Sequence, residues 1–136
     1  MNNSSQADVI IFMTDEERAI PPYETQEVIE WRDRTLAGRN WFKENGVCFN
    51  RHYTGSLACV PSRPTLFTGQ FPDVHGVTQT NGLGKDEYDS RMRWLLPREV
   101  PTIGHWFRAA GYDTHYDGKW HISHADLVDE DTGNAL

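Results

Sequence analysis

The chain is short, acidic and moderately apolar. Its 136 residues suffice for one ordinary domain, and 20 Asp and Glu against 13 Lys and Arg give a net charge of −7, which argues against nucleic acid as a partner. With 38% hydrophobic and 24% charged residues, the composition is that of a folded protein. Because no apolar run approaches the ~18 residues of a membrane span and no secretory leader is seen, we expect a cytoplasmic protein without a membrane partner.

The first predicted element is a strand over residues 8–14. This run, DVIIFMT, is apolar and rich in β-branched residues, as is typical of a strand buried on both faces of a parallel sheet. Asp15 and Glu16 follow at its carboxyl end, which is the edge where open α/β sheets bind ligands. Adjacent carboxylates are hard oxygen donors, and they indicate a site for Ca²⁺ or Mg²⁺.

A helical pattern comes next and ends at Gly46. It predicts that Leu36, Trp41 and Phe42 face a core. Residues 47–55 then have the β-branched and aromatic content of a second strand.

The chain has two cysteines and no CxxC pair, so we expect free thiols rather than a disulfide or a structural zinc site. Cys48 lies in the second predicted strand, and we expect it to be buried and inert.

A further helix is predicted over residues 62–68, between Pro61 and Gly69. Such a helix directs free backbone N–H groups toward a ligand bound at Cys59. These groups favour a negatively charged ligand. Arg63 adds a guanidinium fork that is suited to a tetrahedral oxyanion.

Residues 71–100 show no clear hydrophobic periodicity and are predicted to form a long surface loop. An amphipathic helix follows, capped by Thr102 and ended by Gly111. Its apolar positions include Ile103 and Trp106.

A third strand is predicted over residues 112–116, and Lys119 and His121 follow its end as a cation and a proton acceptor. The alternation of strands and helices predicts an α/β fold, with a mostly parallel sheet flanked by helices. A hard-oxygen site, a cysteine at a helix start, two cations and a base are together suited to sulfuryl or phosphoryl transfer.

The segment CVPSRPTLFTG, residues 59–69, resembles the sulfatase signature. The matching positions are Cys59, Pro61, Ser62, Arg63, Thr68 and Gly69. IIFMTDEER resembles the first strand of that family with its metal-binding acids, and GYDTHYDGKWH resembles its later GKWH element. The resemblance covers residues 7–124, and residues 125–136 form a polar tail. It implies that residues 1–136 are the N-terminal portion of a larger, alkaline phosphatase-like catalytic domain.

This resemblance implies a sulfuric ester hydrolase of the arylsulfatase type that acts on a small sulfate ester. Cys59 would be oxidised to formylglycine by a formylglycine-generating enzyme. In its hydrated form one hydroxyl attacks sulfur, and the other later expels sulfate. Arg63 would orient the formylglycine, Lys119 would contact the sulfate, and His121 would hydrogen-bond to the diol and the substrate.

The resemblance also implies a divalent metal held by Asp15, Glu16 and the converted Cys59. The metal is usually Ca²⁺ in this family, with Mg²⁺ or Mn²⁺ as alternatives. The family's later ligands have no counterpart in the sequence, so we expect an incomplete enzyme in this chain.

Two other functions stay open from the sequence. One is a phosphonate monoester or phosphodiester hydrolase of the same superfamily, which shares the formylglycine nucleophile. The other is a non-catalytic fragment that associates with another chain, because exposed sheet edges and five Trp favour a partner surface. Association with a C-terminal portion and formation of a homo-oligomer are both left open.

Overall fold

The computed structural model describes residues 6–96 and 98–123, which fall into two units divided after His52. The predicted polar tail, residues 125–136, lies outside the described residues. None of the helices in the described ranges is long and apolar enough to cross a membrane.

The first unit contains two consecutive helices, α1 (Gln26–Thr35) and α2 (Ala37–Asn45). Leu36 separates them because its backbone leaves the helical region, with φ −89° and ψ 66°. Its N–H still bonds to the carbonyl of Arg32, and its own carbonyl accepts from Asn40. The predicted helical segment and its end before Gly46 are thus confirmed, with one interruption that the pattern did not indicate.

The prediction that Trp41 and Phe42 face a core was wrong, because their exposed fractions are 59% and 57%. The two rings instead contact each other edge to face, with centroids 5.3 Å apart, and Phe42 also meets Phe12 at 6.3 Å. Leu36 is half-buried. Neither α1 nor α2 contains a buried residue, so periodicity located the helices without identifying a buried face.

The three segments predicted as strands form no β ladder in the described parts of the chain. The β pairing found there is one isolated antiparallel bridge, between Gly82 and Lys85. A strand is defined by the neighbours to which it bonds, and a parallel strand also needs covered faces. The α/β class therefore stays a prediction.

The second unit is organised around helix α3 (Cys59–Thr68). Ala58 precedes α3 in extended backbone, and Gly69, at φ +72°, ends it by donating its N–H to the carbonyl of Thr65. The helix predicted over residues 62–68 is confirmed, and it begins earlier, at Cys59. A short helix α4 (Pro72–His75) follows and contacts α3.

Helix α5 (Ile103–Ala109) also contacts α3. It begins with a capping box in which Thr102 and His105 exchange hydrogen bonds with each other's backbone N–H groups. This confirms the predicted helix and its cap. Trp106, however, is exposed rather than buried.

Among the described residues of the second unit, five apolar side chains from separated parts of the chain form a core. They are Val60, Val77, Trp94, Leu95 and Ile122. Three of them, Val77, Trp94 and Leu95, lie within residues 71–100, so the prediction of a surface loop was wrong at these positions. The reason is a long-range contact: the N–H of Leu95 donates to the carbonyl of Ile122 at 3.0 Å and brings the apolar segment inward.

Candidate active site

Cys59 is the first residue of α3 and is half-buried, next to the fully buried Val60. Its Sγ lies 3.7 Å from Oγ1 of Thr80. The Thr80 hydroxyl donates to the carbonyl of Asn81 at 3.3 Å, which leaves its oxygen to accept from the thiol. The side chain of Cys59 is therefore held at the start of α3 by a neighbour 21 positions away in the sequence.

Arg63 follows Cys59 by four residues and so projects from the same face of α3. It is only 6% exposed. Its Nη1 donates to the carbonyl of Lys119, to the carbonyl of Trp120 at 3.4 Å and to the hydroxyl of Tyr116 at 3.3 Å. The guanidinium thus connects α3 to residues 118–121, the GKWH segment. The Tyr116 hydroxyl donates to the same Lys119 carbonyl.

Three aromatic rings pack beside this connection. Phe67, Tyr116 and Trp120 contact one another edge to face, with centroid separations of 5.0 to 5.8 Å. Gly118 lies between the last two at φ +94°, a conformation that glycine adopts without strain. The turn that precedes Lys119 is therefore packed on α3 through apolar as well as polar contacts.

His121 ends the GKWH segment in an unusual backbone conformation, with φ +52°. Its Nε2 lies 2.8 Å from Oδ1 of Asn81, and its ring centroid lies 5.6 Å from that of Trp94. The next residue, Ile122, is fully buried. Left-handed backbone at a non-glycine residue persists only where surrounding contacts impose it, and such positions cluster at functional sites. Lys119, two residues earlier, is exposed.

The predicted metal ligands Asp15 and Glu16 belong to the first unit and are exposed. Glu16 has φ +58°, and the neighbouring Glu17 accepts a hydrogen bond from Thr14 and pairs with Arg39 at 3.4 Å. Their carboxylates are the donor class that Ca²⁺ prefers. Within residues 6–96 and 98–123, however, no three acidic, histidine or cysteine side chains come together to hold an ion. Two carboxylates fall short of the roughly 6–8 oxygens of a Ca²⁺ site, so these residues do not form a complete metal centre.

His75 stabilises α3 through a hydrogen bond to Thr65. It is 2% exposed, and its Nδ1 accepts from the N–H of Val77 at 3.2 Å, so the Nε2–H donates to Oγ1 of Thr65 at 3.1 Å. The Thr65 hydroxyl in turn donates to the carbonyl of Pro61 at 2.9 Å. Burial lowers the pKa of His75, which keeps the imidazole neutral in this role.

Both cysteines are free thiols, as predicted, but Cys48 is exposed rather than buried. The β-branched and aromatic residues around it suggested a covered strand, and no strand neighbours cover it in the described chain. Cys59 is the thiol that lies among the other predicted site residues of the second unit.

Sequence reasoning missed Thr80, Asn81 and Tyr116. The Asn81–Gly82 dipeptide is a turn signal, and it indicates the bend near the Gly82–Lys85 bridge. It carries no information about the imidazole that Asn81 contacts, because that contact joins residues 40 positions apart.

Comparisons with known proteins agree with the motifs. A sequence model of the Sulfatase family matches residues 8–133. The uncharacterized sulfatase YidJ of Escherichia coli is 36% identical over 78 residues, which cover 57% of this chain and 13% of that protein. N-acetylgalactosamine-6-sulfatase of Mus musculus is 30% identical over 80 residues, which cover 58% of this chain and 15% of that protein.

A third relative, the delta 4,5-hexuronate-2-O-sulfatase of Bacteroides thetaiotaomicron, is 36% identical over 76 residues, 56% of this chain and 14% of that protein. The aligned part of the chain thus spans about 13–15% of the length of these curated relatives. No solved structure matches the chain. Because the family match extends over nearly all of its residues, this chain belongs to the sulfatase family.

Proposed function

We propose that this chain carries the nucleophile of an enzyme that hydrolyses sulfate esters, and that Cys59 is the precursor of a formylglycine. The observation that carries the proposal is the connection of α3 to the GKWH segment through Arg63. It places a nucleophile precursor, a cation and a base in one unit, namely Cys59, Lys119 and His121. Membership of the sulfatase family supports the reaction class.

Each of these residues has a role that its surroundings support. The first turn of α3 presents backbone N–H groups and the positive end of the helix dipole, which favour a sulfate group beside Cys59. Lys119 is exposed and supplies a cation for the sulfate oxygens. Arg63 is occupied by two backbone carbonyls, so its part is to hold Lys119 and His121 near α3.

His121 is the proton carrier in this proposal. An imidazole has a nitrogen that can accept a proton and return it during a reaction. The aldehyde of formylglycine, once formed and hydrated, supplies an oxygen nucleophile that a thiol cannot. The net reaction consumes one water and releases an alcohol and sulfate.

Asp15 and Glu16 are the carboxylates that we propose this chain contributes to a divalent cation, with Ca²⁺ as the preferred ion for such donors. Two carboxylates alone do not complete a site for such an ion.

The nucleophile is tested by mass analysis of the protein expressed with a formylglycine-generating enzyme. The peptide that contains Cys59 is expected to lose one sulfur and two hydrogens and to gain one oxygen. Cys48 is an internal control, because it is an exposed thiol outside the signature and should remain unmodified. An unmodified Cys59 thiol in protein from a competent host would overturn the proposed nucleophile.

Activity is tested on the protein expressed from its complete gene. An aryl sulfate and N-acetylgalactosamine 6-sulfate are suitable substrates, the second because a relative is named for it. We expect Cys59→Ala to reduce turnover by about a thousandfold or more, since a catalytic nucleophile has no substitute. Cys48→Ala should keep full turnover. Faster cleavage of an aryl phosphonate ester than of the aryl sulfate would instead favour the phosphonate hydrolase.

A further inference from the structure

We infer that Asn81 is a positioning residue for His121, and that it fixes which imidazole nitrogen carries the proton. The inference rests on the proposed function for the catalytic role of His121. The contact itself stands on geometry: Oδ1 of Asn81 lies 2.8 Å from Nε2 of His121.

Asn81 lies in a segment that also touches the proposed nucleophile. The preceding residue, Thr80, places its Oγ1 3.7 Å from Sγ of Cys59. The α-carbons of adjacent residues are held about 3.8 Å apart by a trans peptide. The Thr80–Asn81 dipeptide therefore contacts the side chains of both Cys59 and His121. It sets the position of these two side chains relative to each other.

The dipeptide is anchored on both sides. Val77, four residues before Asn81, is fully buried in the core. Directly after Asn81, Gly82 and Lys85 exchange backbone hydrogen bonds of 2.8 and 3.1 Å and close a tight turn. Because these contacts hold the Asn81 amide in place, its hydrogen bond to His121 determines the orientation of the imidazole ring.

His121 is fixed from its own side as well. Its φ of +52° is imposed between the packed aromatic turn before it and the buried Ile122 after it. The carbonyl of Ile122 is held by the N–H of Leu95, and Trp94 lies beside the imidazole ring. With the backbone and one ring face determined, the bond to Asn81 sets the remaining rotation of the ring.

The chemical consequence concerns the tautomer. An amide oxygen only accepts hydrogen bonds, so the neutral His121 must carry its proton on Nε2 to bond with Oδ1. Nδ1 is then the ring nitrogen that keeps a lone pair, and it is a buried atom. A hydrogen bond to one ring nitrogen is a common way of defining the function of the other.

The test reads the tautomer directly. In protein labelled with ¹⁵N-histidine, the NMR shifts of the imidazole nitrogens show which one is protonated. The spectrum is recorded at a pH of about 8, where an ordinary histidine is neutral. His121→Gln assigns the signals. We expect the Nε2–H form for His121, and the same form for His75, whose Nδ1 accepts from Val77.

Three variants test the contact. Asn81→Leu keeps the size of the side chain but lacks an acceptor, and it should mix the two tautomers of His121. Asn81→Asp keeps an acceptor and should retain the Nε2–H form. Gln79→Leu is the matched control, because Gln79 bonds to Lys85 in the same segment and not to His121. It should leave the His121 signals unchanged.

Two results would overturn the inference: an Nδ1–H tautomer in the unsubstituted protein, or an unchanged tautomer in folded Asn81→Leu. If Asn81→Leu does not fold, the tautomer of the unsubstituted protein and of Asn81→Asp decides the question. In the turnover assay, Asn81→Leu should lower kcat by about 10–100-fold with little change in KM, and Asn81→Asp should recover part of the loss. Absence of any sulfate ester turnover in the unsubstituted protein would overturn the proposed function, while the tautomer would still test the positioning.

Discussion

Arg63 and Trp120 lie 57 positions apart in the sequence, and Nη1 of the first donates to the carbonyl of the second at 3.4 Å. The same nitrogen also donates to the carbonyl of Lys119. A residue that the sulfatase motif associates with the nucleophile is thus engaged with the backbone of the second motif. Two consequences follow: Arg63 contributes to folding, and any displacement of it also moves Lys119 and His121.

Replacement of Arg63 by lysine tests this connection. Lysine keeps the charge but has a single ammonium in place of a planar fork, so it cannot reproduce the shared bonds to Tyr116, Lys119 and Trp120. We expect a loss of about 1–3 kcal/mol in the free energy of unfolding, measured with urea. Arg108→Lys is the control, because Arg108 is exposed and bonds only weakly to Thr114, at 3.4 Å. Its effect should stay within ~0.5 kcal/mol, and equal effects of the two variants would contradict the role of Arg63.

Stability should depend on pH through His75. Its pKa is lowered by burial, with Arg93 acting in the same direction and Asp73 and Glu99 opposing. The unfolded chain therefore binds a proton at a higher pH than the folded chain does. The contribution of the neutral, buried His75 is fully present above the unfolded pKa of about 6.5 and decreases as the pH falls through that value toward the folded pKa.

Urea unfolding between pH 8 and pH 5 measures this dependence. His75→Gln is the informative variant, since glutamine offers both an acceptor for Val77 and a donor for Thr65 but does not titrate. It should unfold with a weaker pH dependence than the unsubstituted protein, whereas His115→Gln, at an exposed position, should keep the original dependence. A dependence that is unchanged in His75→Gln would show that another group is responsible.

Gly76 has two reasons to be glycine. Its φ is +75°, and a Cβ built on it would lie 2.5 Å from Nε of Arg93. Gly76→Ala should therefore cost about 1–2 kcal/mol from backbone conformation alone. Displacement of Arg93 from its ion pair with Glu99 should increase the loss.

The matched control for Gly76→Ala is Gly104→Ala, in helix α5. Among the described residues, a Cβ there meets Oγ1 of Thr102 alone, at 3.7 Å, which is an ordinary contact. Alanine has the higher helix propensity, so this variant should be neutral or stabilising by up to ~1 kcal/mol. Thermal unfolding of both variants would reveal the difference, and a Gly76→Ala protein as stable as Gly104→Ala would refute the argument.

The two thiols should differ in reactivity before maturation. Cys48 is exposed, whereas Cys59 is half-buried and its thiol contacts Thr80. In native protein made without the formylglycine-generating enzyme, iodoacetamide should label Cys48 first. Mass analysis of the two peptides over time gives the order, and labelling in urea should remove the difference. Faster native labelling of Cys59 would mean that it is an activated thiolate.

The ends of the helices were predictable because the signals that set them are local. Gly46 and Gly69 end α2 and α3, and Thr102 begins α5, as the sequence indicates. Each of these ends depends on the conformation and hydrogen bonds of a few consecutive residues. The sulfatase motifs were visible for a related reason, since each is a short run of neighbouring residues.

Burial was less predictable. Periodicity assigned Trp41, Phe42 and Trp106 to apolar faces, and all three are exposed, while Trp94 and Leu95 form the core within a segment that shows no period. An apolar residue is buried only if some other part of the chain covers it. The three predicted strands illustrate the same point, because a strand requires a bonded neighbour that its own residues do not specify.

The sequence by itself therefore determined the family, the helix ends and the residue types available for chemistry. Only the tertiary structure decided that Arg63 holds the GKWH backbone, that Asn81 meets His121, and that Cys48 is exposed while Val77 is buried. The physical reason is the range of the interactions. A cap or a motif is completed within a few residues, whereas these contacts join positions that become neighbours only when the second unit packs around α3.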